Sequence, residues 1–480
     1  MAGDLAVVNG VLVTPTETRR GGVAIDAGRI VAVGLDRYLP KAKETLDVGG
    51  RHILPGLLDV HVHFRDPGFT HKEDFLSGSS AAAAGGITTV ATMPNTLPVP
   101  ASAETFEQKA KAIAGRSYVD YGFIGLLGDT YDDLPGLIEA GAVGLKWLMS
   151  YPLWNGIRLS PSNDGMVLEA LKVAARYGIT VGVHAESLEI MDHLTARLQQ
   201  AGRRDPEAHI DSRPDYVEAE AVQKAIFLAR VAGVPLHIVH MSSAMGAEMV
   251  AEAKRRGQAV TSETCPHYLL YSRADMRRIG SLLKVNPCVK ERADSERLWT
   301  GLRQGDVDTI ATDHAPHTPE EKLTEDIWAA QSGFIGVETS VPLMLTAVNQ
   351  GRMTLNRYVA VAAENPARLY GLYPRKGTLQ VGADGDLTVV DLQREGVIRG
   401  AALHSKHPIT PFEGLRVRGL PVWTIVRGHV VMREGQVVGA PQGQLLRRTV
   451  SAEPAGGSQW PGPTQWTSLD HGSPRQTTEG

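Results

Sequence analysis

Several histidines stand at the ends of apolar segments in this sequence. His61 and His63 form a His-x-His pair at the end of one segment, His184 and His240 end two others, and Asp313 ends the last. Side chains alternate faces along a strand, so two histidines one residue apart point the same way and can hold one metal ion. A single histidine in such a place is more often a packed residue. Five residues at the same relative position favour a metal site.

Four imidazoles and a carboxylate suit Zn²⁺ and its neighbours, but they exceed the three protein ligands of an open catalytic zinc. Two ions fit this set better, and two neighbouring cations need a bridging anion. The candidate bridge is Lys146, at the end of another apolar segment. Burial beside cations lowers the pKa of a lysine, and a neutral amine can add carbon dioxide to form an anionic carbamate. A surface lysine is the alternative interpretation.

Eight apolar segments alternate with helical patterns, several of which end in Gly. The predicted strands are LLDVHVHF, ITTVATMPN, YVDYGFIGLL, AVGLKWLM, ITVGVHAE, PLHIVHMSS, AVTSET and DTIATDHA. This alternation fits a (β/α)₈ barrel, an α/β fold, although a doubly wound sheet alternates in the same way. In a barrel the five residues above would meet at one mouth, because functional groups gather where the strands end.

The remaining sequence predicts smaller units around this middle part. A chain of 480 residues exceeds the about 250 to 300 residues at which one core stops growing. Short strands with turns recur near both chain ends, so we predict a β-sandwich domain from residues 1–53 and 374–445 beside a barrel at 54–373. Residues 446–480, rich in Gly, Pro, Ser and Thr, are predicted to be a disordered tail.

Composition restricts the partners and the compartment. Lys plus Arg number 49 and Asp plus Glu 53, giving a net charge of −4 without long runs of one sign, which argues against nucleic acid or an anionic membrane as partner. No segment reaches the roughly 18 apolar residues of a membrane span, and the N-terminal segment lacks a secretory pattern. With only two cysteines, we expect a cytoplasmic protein without disulfides that acts on a small molecule.

Motifs along residues 54 to about 434 resemble those of the cyclic amidohydrolases, a family that includes dihydroorotases, hydantoinases (dihydropyrimidinases) and allantoinases. The resemblance rests on PGLLDVHVHFRDPG, GGITTVATMPNT, VGLKWLMSY, VHAES, ETCPHYL, IATDHAPHT, GVETSVPLML and ENPARLYGLYPRKGTLQVGADGDLTVVD. It implies a TIM barrel with a small β-sandwich domain formed by both chain ends.

The resemblance also implies a site with two divalent metal ions, usually Zn²⁺. His61, His63 and Asp313 would hold one ion, His184 and His240 the other, and carboxylated Lys146 would bridge them. By this resemblance, the two ions would activate a water for attack on the ring amide carbon. Asp313 would act first as general base and then as general acid toward the leaving ring nitrogen.

The motifs that select the ring are mixed. Arg65, Asn95 and His317 match the positions that hold the substrate carboxylate in dihydroorotases, and Asn286 matches another substrate position there. Tyr151 matches the tyrosine with which hydantoinases stabilise the oxyanion. Our main hypothesis is a dihydroorotase of pyrimidine biosynthesis, which interconverts dihydroorotate and N-carbamoyl-aspartate.

Hydantoinase and then allantoinase are the alternatives, and the segment ETCPHYL is more typical of these two. Relatives of this family are commonly dimers or tetramers, so we expect a homo-oligomer. A non-catalytic scaffold is the hypothesis from another class, and the six intact metal-site positions argue against it.

Overall fold

The computed structural model describes residues 3–128, 131–151, 153–154 and 157–449. Its first segment is a set of short strands: β1 (Gly3–Val13), β2 (Thr18–Asp26), β3 (Arg29–Gly34), β4 (Ala42–Asp47) and β5 (His52–Pro55). β1 pairs antiparallel with β2 and parallel with both β4 and β5. Apolar residues of these strands are buried on one side, which makes them part of a sheet that covers a core of its own.

The middle of the chain forms the barrel. Its eight strands are β6 (Leu57–Val62), β7 (Ile87–Thr92), β8 (Asp120–Leu126), β9 (Gly144–Leu148), β12 (Val181–His184), β13 (Leu236–Ile238), β14 (Val260–Thr264) and β15 (Thr309–Ile310). Between β9 and β12 in the chain, β10 (Leu153–Trp154) and β11 (Ile157–Arg158) form a short hairpin outside the barrel. The eight barrel strands are the eight predicted ones, and neighbours pair in parallel from β6 to β15. Each is buried along its length, as expected for strands covered on both faces.

Polar contacts beyond the regular ladder join the last strand to the first. The backbone N–H of His63 donates to the carbonyl of His314 at 2.7 Å. The buried carboxylate of Asp59 on β6 accepts hydrogen bonds from the backbone N–H and the hydroxyl of Thr312, at 3.1 and 2.5 Å. These contacts close the cylinder.

Helices follow the strands and cover the barrel. They are α1 (Phe75–Ala84), α2 (Ala103–Ile113), α3 (Leu134–Glu139), α4 (Asp164–Arg176), α5 (Leu188–Gln200), α6 (Pro206–Asp211), α7 (Asp215–Ala232), α8 (Ala244–Arg255), α9 (Pro266–Leu270), α10 (Arg273–Ile279), α11 (Arg292–Gln304), α12 (Pro319–Lys322), α13 (Ser340–Asn349), α14 (Leu355–Val359) and α15 (Asn365–Leu369). α7 and α11 end at Gly233 and Gly305, both left-handed, which is the predicted glycine C-cap.

The C-terminal strands complete the first sheet. β16 (Leu387–Val397), β17 (Arg416–Val426), β18 (His429–Arg433) and β19 (Gln436–Val437) follow one another antiparallel, and β16 pairs antiparallel with β5. Both chain ends therefore build one mixed nine-stranded sheet, here called the end sheet. The predicted fold class, a (β/α)₈ barrel with a separate β domain from both chain ends, is confirmed.

A buried ionic cluster joins the end sheet to the barrel. The Lys376 ammonium is fully buried and lies 2.5 Å from Asp120 on β8, 2.9 Å from Asp384 and 2.6 Å from Asp386, the last two just before β16. Arg427, after β17, also pairs with Asp120. The three carboxylates are close enough to suggest a metal site. Because a lysine already stands among them, we interpret the cluster as structural.

The described residues after β19 pack on the barrel. Composition predicts a disordered tail from residue 446, but Leu446 is fully buried and its N–H donates to the Tyr121 carbonyl at 2.7 Å. Arg447 forms an ion pair with Glu107 of α2. The predicted boundary is therefore too early, because residues 446–449 have apolar and ionic partners. Residues 450–480 of the predicted tail lie outside the described residues.

Among the described residues, no helix has the length and apolar character needed to cross a bilayer.

We predict that Lys376→Met destabilises the protein by about 3 to 5 kcal/mol, because removing one partner leaves the buried carboxylates uncompensated. The urea midpoint measures this loss. The matched control is Lys43→Met, which removes an exposed lysine that pairs with Asp4 and should leave the midpoint nearly unchanged. Equal midpoints for both variants would contradict a structural role of the cluster.

Candidate functional site

The ends of β6 and β15 bring three predicted metal ligands together. The Asp313 Oδ1 atom lies 3.3 Å from His61 Nε2 and 3.1 Å from His63 Nε2. The three side chains offer ligand atoms that all lie within 4.8 Å of one another. Both imidazoles point to the same side of β6, as the His-x-His spacing predicts.

The other predicted ligands lie beside them. His184 at the end of β12 and His240 just after β13 place Nδ1 and Nε2 2.9 Å apart, and the rings of His61 and His240 have centroids 5.2 Å apart. Lys146 is buried on β9, the strand next to β12, and its Nζ has no hydrogen-bond partner among the described residues. A buried nitrogen without a partner is expected where the side chain binds a group other than protein. Together with the four histidines and Asp313, it forms a donor set that fits a pair of divalent cations.

Backbone strain is concentrated here. Arg65, His240 and Asp313 have φ angles of 60°, 40° and 49°, and each follows the end of a barrel strand. Non-glycine residues adopt this left-handed region at a cost of about 1 to 3 kcal/mol, which persists where surrounding contacts enforce it. The strained backbone turns these side chains from the strand ends toward the mouth.

A buried carboxylate behind the ligands fixes their orientation. Glu263 on β14 lies 2.5 Å from His61 Nδ1 and 3.3 Å from His237 Nε2, and accepts from the backbone N–H of His240 at 3.1 Å. With Nδ1 held by Glu263, the His61 Nε2 lone pair faces Asp313. Glu186 lies in the same way 2.9 Å from His184 Nε2.

The site holds its titratable groups in useful states. Burial lowers the pKa of Lys146 to about 8 although Glu263 and Asp313 oppose the shift, so a neutral amine is accessible near neutral pH. Burial alone would raise the pKa of Asp313, but His61 and His63 outweigh it and lower the value to about 2. Asp313 is therefore an anion at neutral pH, ready to bind a cation or accept a proton.

A guanidinium faces the same mouth from the loop after β6. Arg65 donates to the Pro316 carbonyl at 3.4 Å and has an Nη2 atom 3.3 Å from His317 Nε2. Burial lowers the pKa of Arg65 to about 10, which still leaves it cationic at neutral pH. Among the described residues, no carboxylate lies within ion-pair distance of this guanidinium.

The remaining predicted substrate residues lie opposite. The Tyr151 ring has its centroid 5.0 Å from that of His184, and Asn286 donates its amide N–H to the Tyr151 hydroxyl. Burial raises the pKa of Tyr151 to about 12, so its hydroxyl keeps its proton. Asn95 Oδ1 is buried without a hydrogen-bond partner in the described part of the chain.

These side chains surround one cavity of about 310 Å³. All the predicted site residues line it: His61, His63, Arg65, Asn95, Lys146, Tyr151, His184, His240, Asn286, Asp313 and His317. The structure brings them together, while their individual roles stay predictions.

Sequence reasoning missed part of the lining and all the supporting carboxylates. Lys284, Trp328 and Gln331 line the cavity, and no periodicity marks the loops that carry them. Glu186 and Glu263 were detectable in principle, because each stands in a quoted motif at a strand end, VHAES and ETCPHYL.

A larger cavity of about 840 Å³ lies between the end sheet and the barrel. None of the predicted residues line it. Its charged side chains pair locally, Arg19 with Glu17 and Arg368 with Glu364. We therefore assign the chemistry to the smaller cavity, where unpaired polar atoms converge.

A parallel barrel with histidines, a carboxylate and a buried lysine at its strand ends is the architecture of a metal-dependent hydrolase. The amidohydrolase family model matches residues 52–431. The chain belongs to the amidohydrolase family, and its similarity to cyclic amidohydrolases covers nearly the whole chain.

Relatives with different substrates in their names are about equally similar. An allantoinase from Deinococcus radiodurans is 38% identical over 451 residues, which cover 93% of this chain and 99% of the relative. An L-hydantoinase from Paenarthrobacter aurescens is 37% identical over 442 residues, which cover 91% of this chain and 96% of the relative. A dihydroorotase from Geobacter sp. (strain M21) is 39% identical over 418 residues, which cover 86% of this chain and 95% of the relative. These identities do not select one ring.

The solved structure of the L-hydantoinase (dihydropyrimidinase) from Arthrobacter aurescens superposes with a TM-score of 0.90 at 36% identity, covering 93% of this chain and all of that chain. The fold is thus shared with an enzyme that is named for a cyclic amide substrate. The resemblance found in the motifs is confirmed, and the chain is a hydrolase of cyclic amides.

We predict that Glu263→Gln weakens zinc binding about 10- to 100-fold, because an amide cannot accept from His61, His237 and the His240 N–H at once. Competition with a chromogenic zinc chelator measures the affinity. Glu252→Gln, which changes an exposed glutamate on α8, is the control and should bind zinc as the unmodified protein does. A folded Glu263→Gln protein with unchanged affinity would argue against this orienting role.

Proposed function

We propose that this enzyme hydrolyses the ring amide of a cyclic ureide that carries a carboxylate, with dihydroorotate as the substrate and N-carbamoyl-aspartate as the product. The observation that carries the proposal is the Arg65 guanidinium, which is buried at the cavity without a carboxylate partner among the described residues. A buried charge without a partner is costly, and a substrate carboxylate would compensate it with charge-assisted hydrogen bonds.

The surroundings of Arg65 support an anion. His317 Nε2 lies 3.3 Å from Arg65 and 3.1 Å from the Ser332 carbonyl, and its Nδ1 lies 3.3 Å from Lys72 Nζ, so the ring stands between two cationic groups. Burial beside Arg65 and Lys72 holds the pKa of His317 far below its usual value. Asn95, unpartnered at Oδ1, has an amide N–H₂ group of the type that would complete a carboxylate site.

The proposed cofactor is a pair of divalent cations, most simply Zn²⁺. His61, His63 and Asp313 would hold one ion and His184 and His240 the other, with Lys146 bridging as a carbamate. The depressed pKa of Lys146 supports this modification, because carbon dioxide reacts with the neutral amine. When bound, the two cations would activate a water as nucleophile and polarise the scissile carbonyl.

The protein groups then move the proton and stabilise charge. Asp313, anionic at neutral pH, accepts the proton of the attacking water and delivers it to the ring nitrogen as the C–N bond breaks. The Tyr151 hydroxyl, held by Asn286, donates to the oxygen that becomes negative in the tetrahedral intermediate.

A neutral ring is the second candidate, favoured by Tyr151 and by the hydantoinase among the relatives. The Tyr151 hydroxyl lies at the cavity beside His184 and needs no carboxylate on the substrate. Hydantoin or dihydrouracil would then be opened at the same metal site. Allantoin is the third candidate and is supported by the allantoinases among the relatives and by the segment ETCPHYL.

We predict that Arg65→Gln lowers kcat/KM for dihydroorotate about 10- to 150-fold, the effect of losing a hydrogen bond to a charged group. The kcat/KM for dihydrouracil, the same ring without the carboxylate, should change less than about threefold, since this substrate has no carboxylate for Arg65 to bind. Steady-state kinetics on both rings measures the split. A preference for dihydrouracil in the unmodified enzyme, or equal losses on both rings, would reject the dihydroorotase assignment.

We also predict that the native protein carries the added mass of one carbon dioxide on Lys146, and that Lys146→Ala removes both this mass and most of the bound metal. Native mass spectrometry and metal analysis test the two results. Short carboxylic acids should restore part of the activity of Lys146→Ala, because they can occupy the bridging position. Full activity of Lys146→Ala without added acid would refute the bridge.

A further inference from the structure

One side of the cavity is formed by the long loop between β15 and α13. Trp328, Ala330, Gln331, Ser332 and Gly333 all line the cavity, and together with Ile327 they form a segment without helix or strand, here called the loop wall (residues 327–333). Such a segment has no ladder to satisfy its backbone carbonyls, so other donors must do so.

Two buried lysines, Lys284 and Lys322, supply those donors. The Lys284 Nζ donates to the carbonyls of Ile327 and Ala330 at 2.7 and 2.6 Å. The Lys322 Nζ donates to the carbonyl of Gln331 at 3.0 Å and to that of Lys284 itself at 2.6 Å. We call Lys284 and Lys322 the lysine pair, because each helps to hold the other in place.

The lysine pair is unusual in its surroundings. Lys284 and Lys322 are 7% and 1% exposed, and in the described part of the chain neither has a carboxylate within ion-pair distance. Buried lysines normally pair with an acid. Here each lysine nitrogen donates to two backbone carbonyls. An ammonium and a neutral amine both have at least two N–H groups, so both forms can make these hydrogen bonds.

The backbone adds a third link of the same kind. The Gly333 N–H donates to the Lys284 carbonyl at 2.9 Å, so that carbonyl accepts from both Gly333 and Lys322. On its outer side the wall is tied to the loop after α5, where the Trp328 indole N–H donates to the Arg203 carbonyl at 2.7 Å. On the side of the cavity, the lysine pair donates to three carbonyls of the wall, and the Ser332 carbonyl lies 3.1 Å from His317 Nε2.

We infer that Lys284 and Lys322 are positioning residues that hold the loop wall at a set distance from the metal ligands and so set the size of ring substituent that the cavity accepts. Neither lysine need touch the substrate for this effect. The inference rests on the proposed function for its kinetic consequence, but not for its structural one, because order in the loop wall is measurable without any substrate.

The structural experiment compares amide hydrogen exchange in the full-length variants Lys284→Met and Lys322→Met. Exchange of the peptide that covers residues 327–333 should become about tenfold faster in either variant, because its carbonyl contacts are lost. The double variant should exchange at least as fast as either single variant, because the two lysines donate to different carbonyls of the loop wall. The control is Lys254→Met, which removes a buried lysine of α8 that donates to the Gly305 and Asp306 carbonyls and pairs with Asp308, and it should leave this peptide unchanged.

The kinetic experiment uses hydantoin and 5-benzylhydantoin, the same ring with a small and a large substituent. Lys284→Met and Lys322→Met should raise KM for hydantoin about tenfold with kcat changed less than about threefold, and should shift the kcat/KM ratio toward the benzyl substrate. Lys254→Met should leave that ratio unchanged.

The outcomes separate the two proposals. Unchanged exchange of the loop wall in both folded lysine variants overturns the inference, whatever the substrate is. If amide exchange is faster but the ratio of kcat/KM between 5-benzylhydantoin and hydantoin is unchanged, the claim about size selection is overturned. If the unmodified enzyme opens neither hydantoin, the exchange result alone decides for or against the lysine pair, and the proposed function is decided separately by the dihydroorotate assay.

Discussion

The contact between the first and the last barrel strand determines most of the site. His63 donates its backbone N–H to His314, and Asp59 accepts from the backbone and the hydroxyl of Thr312. Because the two strands are held at this register, Asp313 lies within 3.1 to 3.3 Å of both histidines of the first strand. Residues some 250 positions apart in the chain thereby become neighbours at the mouth of the barrel.

A concentration of polar groups in a closed core is unfavourable unless each group is satisfied. The supporting carboxylates Glu263 and Glu186 contact the far sides of the His61 and His184 rings, and strand ends with left-handed backbone aim the ligands inward. Lys146 Nζ and Asn95 Oδ1 line the cavity without a hydrogen-bond partner among the described residues, and the Arg65 guanidinium there has no carboxylate partner. These atoms are where bound cations and a substrate anion would be stabilised most.

The two halves of the cavity differ in how they are built. The half with the predicted metal ligands rests on barrel strands whose ladders leave little freedom, and this chain shares that framework with the L-hydantoinase structure at a TM-score of 0.90. The substrate half rests on loops, and its shape depends on individual side chains such as Arg65, Lys284 and Lys322. Overall identity averages over hundreds of barrel positions, so it reports the chemistry better than the ring.

The sequence alone determined the barrel, its eight strands and the residues at their ends, because strand periodicity and local motifs are encoded by neighbouring residues. It also indicated the substrate residues, such as Arg65 and His317, through motif resemblance. Only the tertiary structure decided which carboxylates support the ligands, that residues 446–449 pack on the barrel, and that the lysine pair contacts the loop wall. Those contacts join residues that are distant in the chain and carry no periodic signal, so they exist only once the barrel has closed.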